Sequence, residues 1–237
     1  MSRSKTVGGR DPRELPAYPI TEAAHYLRLP PTTLRCWVLG RSWHDGHGDT
    51  TALEPLVEIA SRAPHILSFA NVVECHVLKA MRRVHNIPMQ RIRRALDWLD
   101  KRYPSPHPLL DRQFATDGLD LFVEYYGELI KLGREPQLMM KSVLETYLKR
   151  IKRDRHGVPI KLYPFTRVAE DEDPGSIEID ARVAFGRPVL RGTGIPTQAL
   201  AERYTAGESV DELAEDYGRS REEIEEAIRC ELALQAA

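Results

Sequence analysis

The sequence predicts a mainly α-helical fold with a small antiparallel β meander, carried in three consecutive parts behind a short leader. Three observations predict it. Apolar residues recur at helical spacing along most of the chain, from Ile20, Ala23, Ala24 and Leu27 to Ile224, Ile228 and Leu232. Pro104, Pro106 and Pro108 interrupt the middle, and the residues after them alternate instead. Charge is segregated: residues 1–17 carry a net +2, 18–103 a net +4, 104–167 a net +3 and 168–237 a net −10, beneath a formal total of only −1. A polyanion is attracted to the front and repelled from the back, so one chain is predicted to serve two kinds of partner.

A chain of 237 residues, 42% hydrophobic and 29% charged, has ordinary globular composition and room for two or three small domains. No apolar run is long enough to span a bilayer, and Met1-Ser2-Arg3-Ser4-Lys5 has no apolar segment behind it, so no membrane contact and a cytoplasmic location are expected. Cys36, Cys75 and Cys230 are odd in number, far apart and each within a helical pattern, which predicts buried thiols. No cofactor is expected.

Residues 1–17, rich in Ser, Gly, Arg and Pro without an apolar period, read as a disordered leader. From Tyr18 a helix carrying Ile20, Ala23, Ala24 and Leu27 is predicted with Thr21 as its N-cap, ended by Leu29-Pro30-Pro31. A second helix from about Thr32 turns Leu34, Trp37 and Val38 inward and Thr32, Thr33, Arg35 and Arg41 outward, giving a helix-turn-helix. Residues Tyr18 to Trp37 resemble the opening of the MerR-type winged helix, with Arg28 where that family usually has Gly. The resemblance implies double-stranded operator DNA as partner. Arg35 and Arg41 are suited to phosphate or guanine, Thr32 and Thr33 to backbone oxygens, and Trp37 to the core.

Residues 42–65 fit a wing. Its tip holds His44, Asp45, His47 and Asp49, which no helix or cysteine pair fixes, so a solvated loop is expected there and no metal. Ser68 is predicted to cap a helix with Val72, Val73, Val77, Met81 and Val84 inside, followed beyond Asn86-Ile87-Pro88 by another with Ile92, Leu96 and Leu99 inside. Cations line both, and Lys79, Arg82 and Arg83 are candidates for phosphate contact beside the helix-turn-helix.

Residues 104–167 are predicted as a linker, a three-stranded meander turning at Asp117-Gly118 and again after Tyr126-Gly127, and a helix from about Pro136 to Ile151. Tyr163 to Thr166 is predicted as an edge strand. With no sustained heptad in the chain, this part is the candidate dimerisation region of a homodimer.

Residues 168–237 begin acidic and contain Phe185-Gly-Arg-Pro-Val-Leu-Arg-Gly-Thr-Gly-Ile-Pro-Thr197, whose glycines and prolines exclude a helix or a strand interior. Three helices follow, the first with Thr197 as its predicted N-cap and the others with capping boxes at Ser209/Glu212 and Ser220/Glu223. Gly186 to Leu190, Arg191 to Thr193, Ile195 and Pro196 resemble the Gly-[Lys/Arg]-Pro motif of the antitoxin-like domain found beside PIN-like ribonuclease toxins, a strand and turn before a homeodomain-like trio of helices; Gly194 stands where that family often has Arg. On this evidence the chain resembles a VapB-type antitoxin. The resemblance implies a PIN-like ribonuclease toxin as second partner, held through Arg187, Arg191, Gly192, Thr193, Ile195 and Pro196. The last helix, with Glu222, Glu223, Glu225, Glu226 and Glu231 against Arg221 and Arg229, would be repelled by a major groove. It is read as a solvated acidic face or as a surface for the toxin.

The predicted function is therefore that of a type II antitoxin that neutralises its toxin and represses its own operon, with a MerR-like transcriptional regulator lacking a toxin as the alternative. An enzyme is not predicted, because the acidic residues form no recognisable nucleophile, metal or phosphate motif.

Overall fold

The computed structural model describes residues 11–44, 50–83, 89–131, 133–166 and 175–232. Val84, the Asn86-Ile87-Pro88 junction, the wing tip at 45–49, residues 1–10 of the leader and the acidic stretch 170–173 lie outside the described residues. Tyr18–Pro19 (β1) leads straight into Ile20–Leu27 (α1), which starts one residue before Thr21 with Pro19 at the cap position. Pro31–Leu39 (α2) follows, its proline in the first turn, where no amide is needed for the helix ladder. Arg41–His44 (β2) and Thr50–Leu53 (β3) form an antiparallel hairpin in the predicted wing position. Ser61–Arg62 (β4) and His65–Leu67 (β5) complete a small antiparallel sheet of order β1-β5-β4.

Phe69–Arg83 (α3) begins behind Ser68, whose hydroxyl accepts the Asn71 N–H at 3.2 Å, as a capping serine should. It is the central helix of the molecule: Val72, Val73, Val77, Leu78, Ala80 and Met81 are fully buried. Met89–Arg102 (α4) buries Ile92, Ala95 and Leu99.

The central region departs from expectation. No meander forms; Phe114–Gly118 is a π-helical turn that runs into Leu119–Leu129 (α5), followed by Arg134–Lys149 (α6). The alternation of Leu119, Leu121 and Val123 is a fragment of a helical face, since Leu119, Phe122, Val123 and Tyr126 are buried at spacings of three, four and seven while Leu121 is 44% exposed. Gly118 serves close approach, because a Cβ there would stand 2.6 Å from the Tyr103 hydroxyl. The β structure of this region is a hairpin after α6, Ile151–Arg153 (β6) against Pro159–Leu162 (β7). Tyr163 to Thr166 is not a strand, although the Tyr163 N–H still reaches the Arg150 carbonyl at 2.9 Å.

The last module starts with Ile177–Glu178 (β8) and Val189–Leu190 (β9), then Thr197–Thr205 (α7), Val210–Tyr217 (α8) and Arg221–Leu232 (α9). Both predicted capping boxes are present: the Glu212 and Glu223 N–H groups donate to the Ser209 and Ser220 hydroxyls at 3.2 and 3.3 Å, and the glutamates return bonds to the serine N–H groups. Thr197 does not cap. It is buried, its N–H donates to the Pro188 carbonyl at 3.0 Å, and its hydroxyl donates to the Glu231 carboxylate.

One apolar core runs from Tyr18 through α3 and α6 to Ile179, and a smaller one gathers Ile177, Leu190, Leu200, Leu213, Ile224, Ala227, Ile228 and Cys230. Reciprocal bonds between Leu162 and Ile179, at 2.9 and 2.8 Å, tie the end of β7 to the residue that follows β8, both within the larger core. Cys75 and Cys230 are buried thiols and Cys36 is half-buried.

Two histidines, buried His76 and half-buried His107, make this core pH-dependent in opposite senses. His107 lies between Glu74 and Glu14, at 2.7 and 2.9 Å, tying the Pro12–Glu14 turn to α3. Burial alone would lower its pKa, but the two carboxylates outweigh it and push the imidazole up to about 10. Its stabilising contribution is therefore complete below about pH 6.5 and is lost as pH rises towards about 10. His76 is held neutral by burial, its pKa down to about 3, with Nε2 3.1 Å from the Tyr147 carbonyl; its contribution is present above about pH 6.5 and fades as pH falls. In melting scans from pH 6 to 10, His107→Gln is expected to flatten the alkaline fall in Tm; a profile parallel to that of the unsubstituted chain would show that the cluster does not titrate in this window.

Candidate functional site: a recognition helix and an arginine hook

The outward face of α2 is set by what its other face buries. Leu34, Trp37 and Val38 are almost wholly buried, which leaves Thr32 and Arg35 exposed and Thr33 half-buried at the start of the helix. At its end Gly40 has φ +74°, and a Cβ there would stand 2.1 Å from the Leu53 carbonyl. Only glycine allows the chain to turn so closely into the wing, and this turn places exposed Arg41 at the wing base opposite Leu53. Beyond the wing, the Leu56 N–H donates to the Trp37 carbonyl at 2.6 Å. Arg93 on α4 donates to the carbonyls of Pro55, at 3.1 Å, and Glu54. It braces the wing rather than facing outward. The side chain of His44 lies outside the described residues, as do Asp45, His47 and Asp49. Among the described residues no group of three or more His, Cys, Asp or Glu side chains could hold a metal ion.

The remaining cations predicted for phosphate contact are placed differently. The Lys79 ammonium is turned inward, 5.5 Å from the Phe165 ring centre and 5.8 Å from that of Tyr147. Arg82 is half-buried and reaches the Met89 sulfur at 3.4 Å; the Arg83 side chain lies outside the described residues. The reason is the position of α3: a helix packed on nearly every side offers little outward face for cations. Exposed positive charge in this part of the chain comes instead from α4, at Arg94, Lys101 and Arg102.

Arg28, at the turn between α1 and α2, adopts φ 51° and ψ 52°, the left-handed conformation that glycine would take more cheaply. Its length has a use. The guanidinium donates to the Thr166 carbonyl, joining the helix-turn-helix to the end of the central region.

The glycine-proline-arginine run forms a hook between β8 and α7. Ile177 pairs with Leu190 and Glu178 with Val189, while Thr193 closes the bend: its hydroxyl donates to the Leu190 carbonyl at 2.7 Å and accepts the Ile195 N–H at 3.1 Å. Gly192, at φ +73°, and Gly194 are exposed with nothing near a prospective Cβ, and Val189 bridges to Pro196. Ile195 is half-buried against the small core. Arg191 is exposed, its guanidinium 5.1 Å from the Tyr163 ring centre. Arg187, expected to face a partner, instead forms an ion pair with Glu22 on α1 and is half-buried. The Tyr18 hydroxyl donates to the Gly186 carbonyl at 2.8 Å. Just before it, Ala184 and Phe185 are both left-handed, at φ 46° and 55°, at a cost of about 1–2 kcal/mol each for residues with a Cβ.

The acidic helix α9 also turns part of its charge inward. Glu226 is 6% exposed, bonded to the Thr166 hydroxyl and ion-paired with Arg229. Glu231 bonds the Thr197 hydroxyl and lies 3.7 Å from His25 of α1; burial pushes its pKa up, but these two partners outweigh it and hold the carboxyl below the usual range. Glu223 and Glu225 pair with Arg219 and Arg221, and Glu222 is exposed. Glu22, His25 and Thr166, which receive the hook and α9, carried no sequence signal for that role, since the residues they receive lie more than 50 positions away.

Residues 16–96, the helix-turn-helix with its wing and α3, match a family model described as "Putative DNA-binding HTH domain", and residues 177–229, the hook and trio, match one described as "Protein of unknown function (DUF433)". Over 236 aligned residues the chain is 31% identical to "Putative antitoxin VapB45" of Mycobacterium tuberculosis (strain ATCC 25618 / H37Rv), covering 91% of this chain and 93% of that protein. It is 24% identical to "Uncharacterized protein Rv2308" of the same organism, over 89% and 88% of the two chains. The crystal structure of Rv2018 from Mycobacterium tuberculosis matches with a TM-score of 0.65 at 25% identity, covering 90% of this chain and 98% of that one. No helix among the described residues is long and apolar enough to cross a membrane.

Proposed function

We propose that this chain, which belongs to the VapB-type antitoxin family of VapB45, neutralises a PIN-like ribonuclease toxin and represses its own operon by binding operator DNA as a homodimer. The observation that carries the DNA half is the placement of Thr32, Arg35 and Arg41: all three are exposed along the start of α2 and the wing base, with their backbone geometry set by buried Trp37 and by Gly40. A helix N-terminus with exposed guanidiniums on α2 and at the wing base suits phosphate and guanine edges. The net −10 of residues 168–237 supports a protein as the second partner, because a ribonuclease must present cations to its substrate. Arg191 and the exposed bend at Gly192 to Gly194 are the outward part of the hook, and a guanidinium there can clamp a carboxylate of the toxin. For the homodimer, Leu121 of α5 with Leu138 and Met139 of α6, at 44%, 60% and 51% exposure, are the apolar surface to cover.

Co-expression with the neighbouring reading frame tests both halves. The chain is expected to restore growth against a toxic PIN-like product, to co-purify with it, and to shift a DNA fragment from upstream of its own gene. Absence of any toxic or co-purifying product would leave the DNA-binding half alone and overturn the antitoxin half.

A further inference from the structure

We propose that Phe185 is the anchor that enters an apolar recess of the toxin; this deepens, and rests on, the toxin-neutralising reading above. Phe185 is 94% exposed, whereas Phe69, Phe114, Phe122 and Phe165 are all buried. A ring wholly in water gains nothing for the isolated fold. It is nevertheless held in place with care. Ala184 and Phe185 are consecutive left-handed residues, a conformation that an unconstrained loop abandons. Around them the Gly186 N–H donates to the Val183 carbonyl at 2.9 Å, the Arg187 N–H to the Ala184 carbonyl at 3.0 Å, and the Tyr18 hydroxyl to the Gly186 carbonyl at 2.8 Å. Gly186 itself admits no Cβ, which would stand 2.2 Å from that hydroxyl. Backbone strain maintained by surrounding bonds around an exposed aromatic ring marks a preorganised contact, since the backbone is already ordered and only the ring's own rotamers remain to be fixed on binding.

Charge selects the occupant. The nearest arginines, Arg182 and Arg187, are already tied to Asp180, at 2.8 Å, and to Glu22, and the module around them carries a net −10, so a nucleic acid would be repelled. A second copy of the same module is repelled for the same reason. A protein with a basic surface around an apolar recess is attracted, which fits an enzyme that binds RNA.

Binding of the purified toxin to the full chain, measured by calorimetry for the wild type, Phe185→Ala and Phe185→Tyr, tests the assignment. Phe185→Ala is expected to raise Kd by about 30-fold or more, the scale of an interface hot spot, with operator affinity and melting temperature preserved because the ring touches little of its own fold. Phe185→Tyr, which keeps the ring, is expected to bind within a few-fold of wild type. Equal binding of wild type and Phe185→Ala overturns the anchor while leaving the antitoxin reading intact. Conversion of a wild-type dimer into a monomer by Phe185→Ala, seen in light scattering, also overturns it, by assigning the ring to contact between copies. Failure of the wild type itself to bind the toxin overturns the antitoxin reading and the anchor with it.

Discussion

Trp37→Ala is expected to destabilise the chain by about 3–5 kcal/mol, the range seen when a large buried aromatic is truncated and its cavity only partly collapses. Trp37 is 2% exposed on the inner face of α2, and its carbonyl receives the Leu56 N–H as the chain returns from the wing. Losing the ring removes the floor on which Thr32 and Arg35 are oriented and loosens the wing base at the same time. Since total stability of a domain is about 5–15 kcal/mol, such a loss shifts the urea midpoint strongly and removes operator binding near physiological temperature. Trp37→Phe, which keeps most of the apolar volume, is expected to retain binding. An unchanged urea midpoint for Trp37→Ala would mean that this helix is not held by the core beneath it.

The second large effect falls on affinity rather than stability. Replacing Arg35 and Arg41 together by alanine is expected to weaken operator binding by about 100-fold or more, because each direct contact to a base edge or phosphate is worth about 1–3 kcal/mol. The dependence of log affinity on log salt should become shallower by about one for each lost phosphate contact. Both side chains are exposed, so melting and toxin binding should be preserved. Unaltered operator affinity in the double variant would remove α2 and the wing base from the DNA interface. Lys79→Ala is a useful contrast, since its ammonium lies over the Phe165 and Tyr147 rings, where loss acts through packing.

Where the sequence was legible, the signal was local. Ser68, Ser209 and Ser220 are caps because a hydroxyl and an N–H three residues on meet within one turn, whatever surrounds them. The burial of Leu34, Trp37 and Val38 follows from helical spacing alone. The region after Pro108 misled for a related reason: over five residues, alternation and a helical face look alike, and only Phe122 and Tyr126, buried with Leu119 and Val123, select the helix. At the candidate sites, Arg35 and Arg41 are exposed as the pattern predicts, whereas Lys79 and Arg187 are drawn inward by an aromatic pair and a carboxylate supplied from far along the chain.

The amino-acid order by itself determined the serine caps, the helix-turn-helix, the closing trio of helices and the opposed charges of the two ends, because these depend on spacing within a turn or on simple sums. Only the folded chain decided which charges remain outside. Arg187 meets Glu22, Glu231 meets His25 and Glu226 meets Thr166 across separations that no local pattern encodes, and a buried charge takes whatever opposite or hydrogen-bonding group the packing brings to it. The same packing left Phe185 in water, for its outward direction comes from a backbone held in place by Tyr18, a residue at the other end of the molecule's sequence.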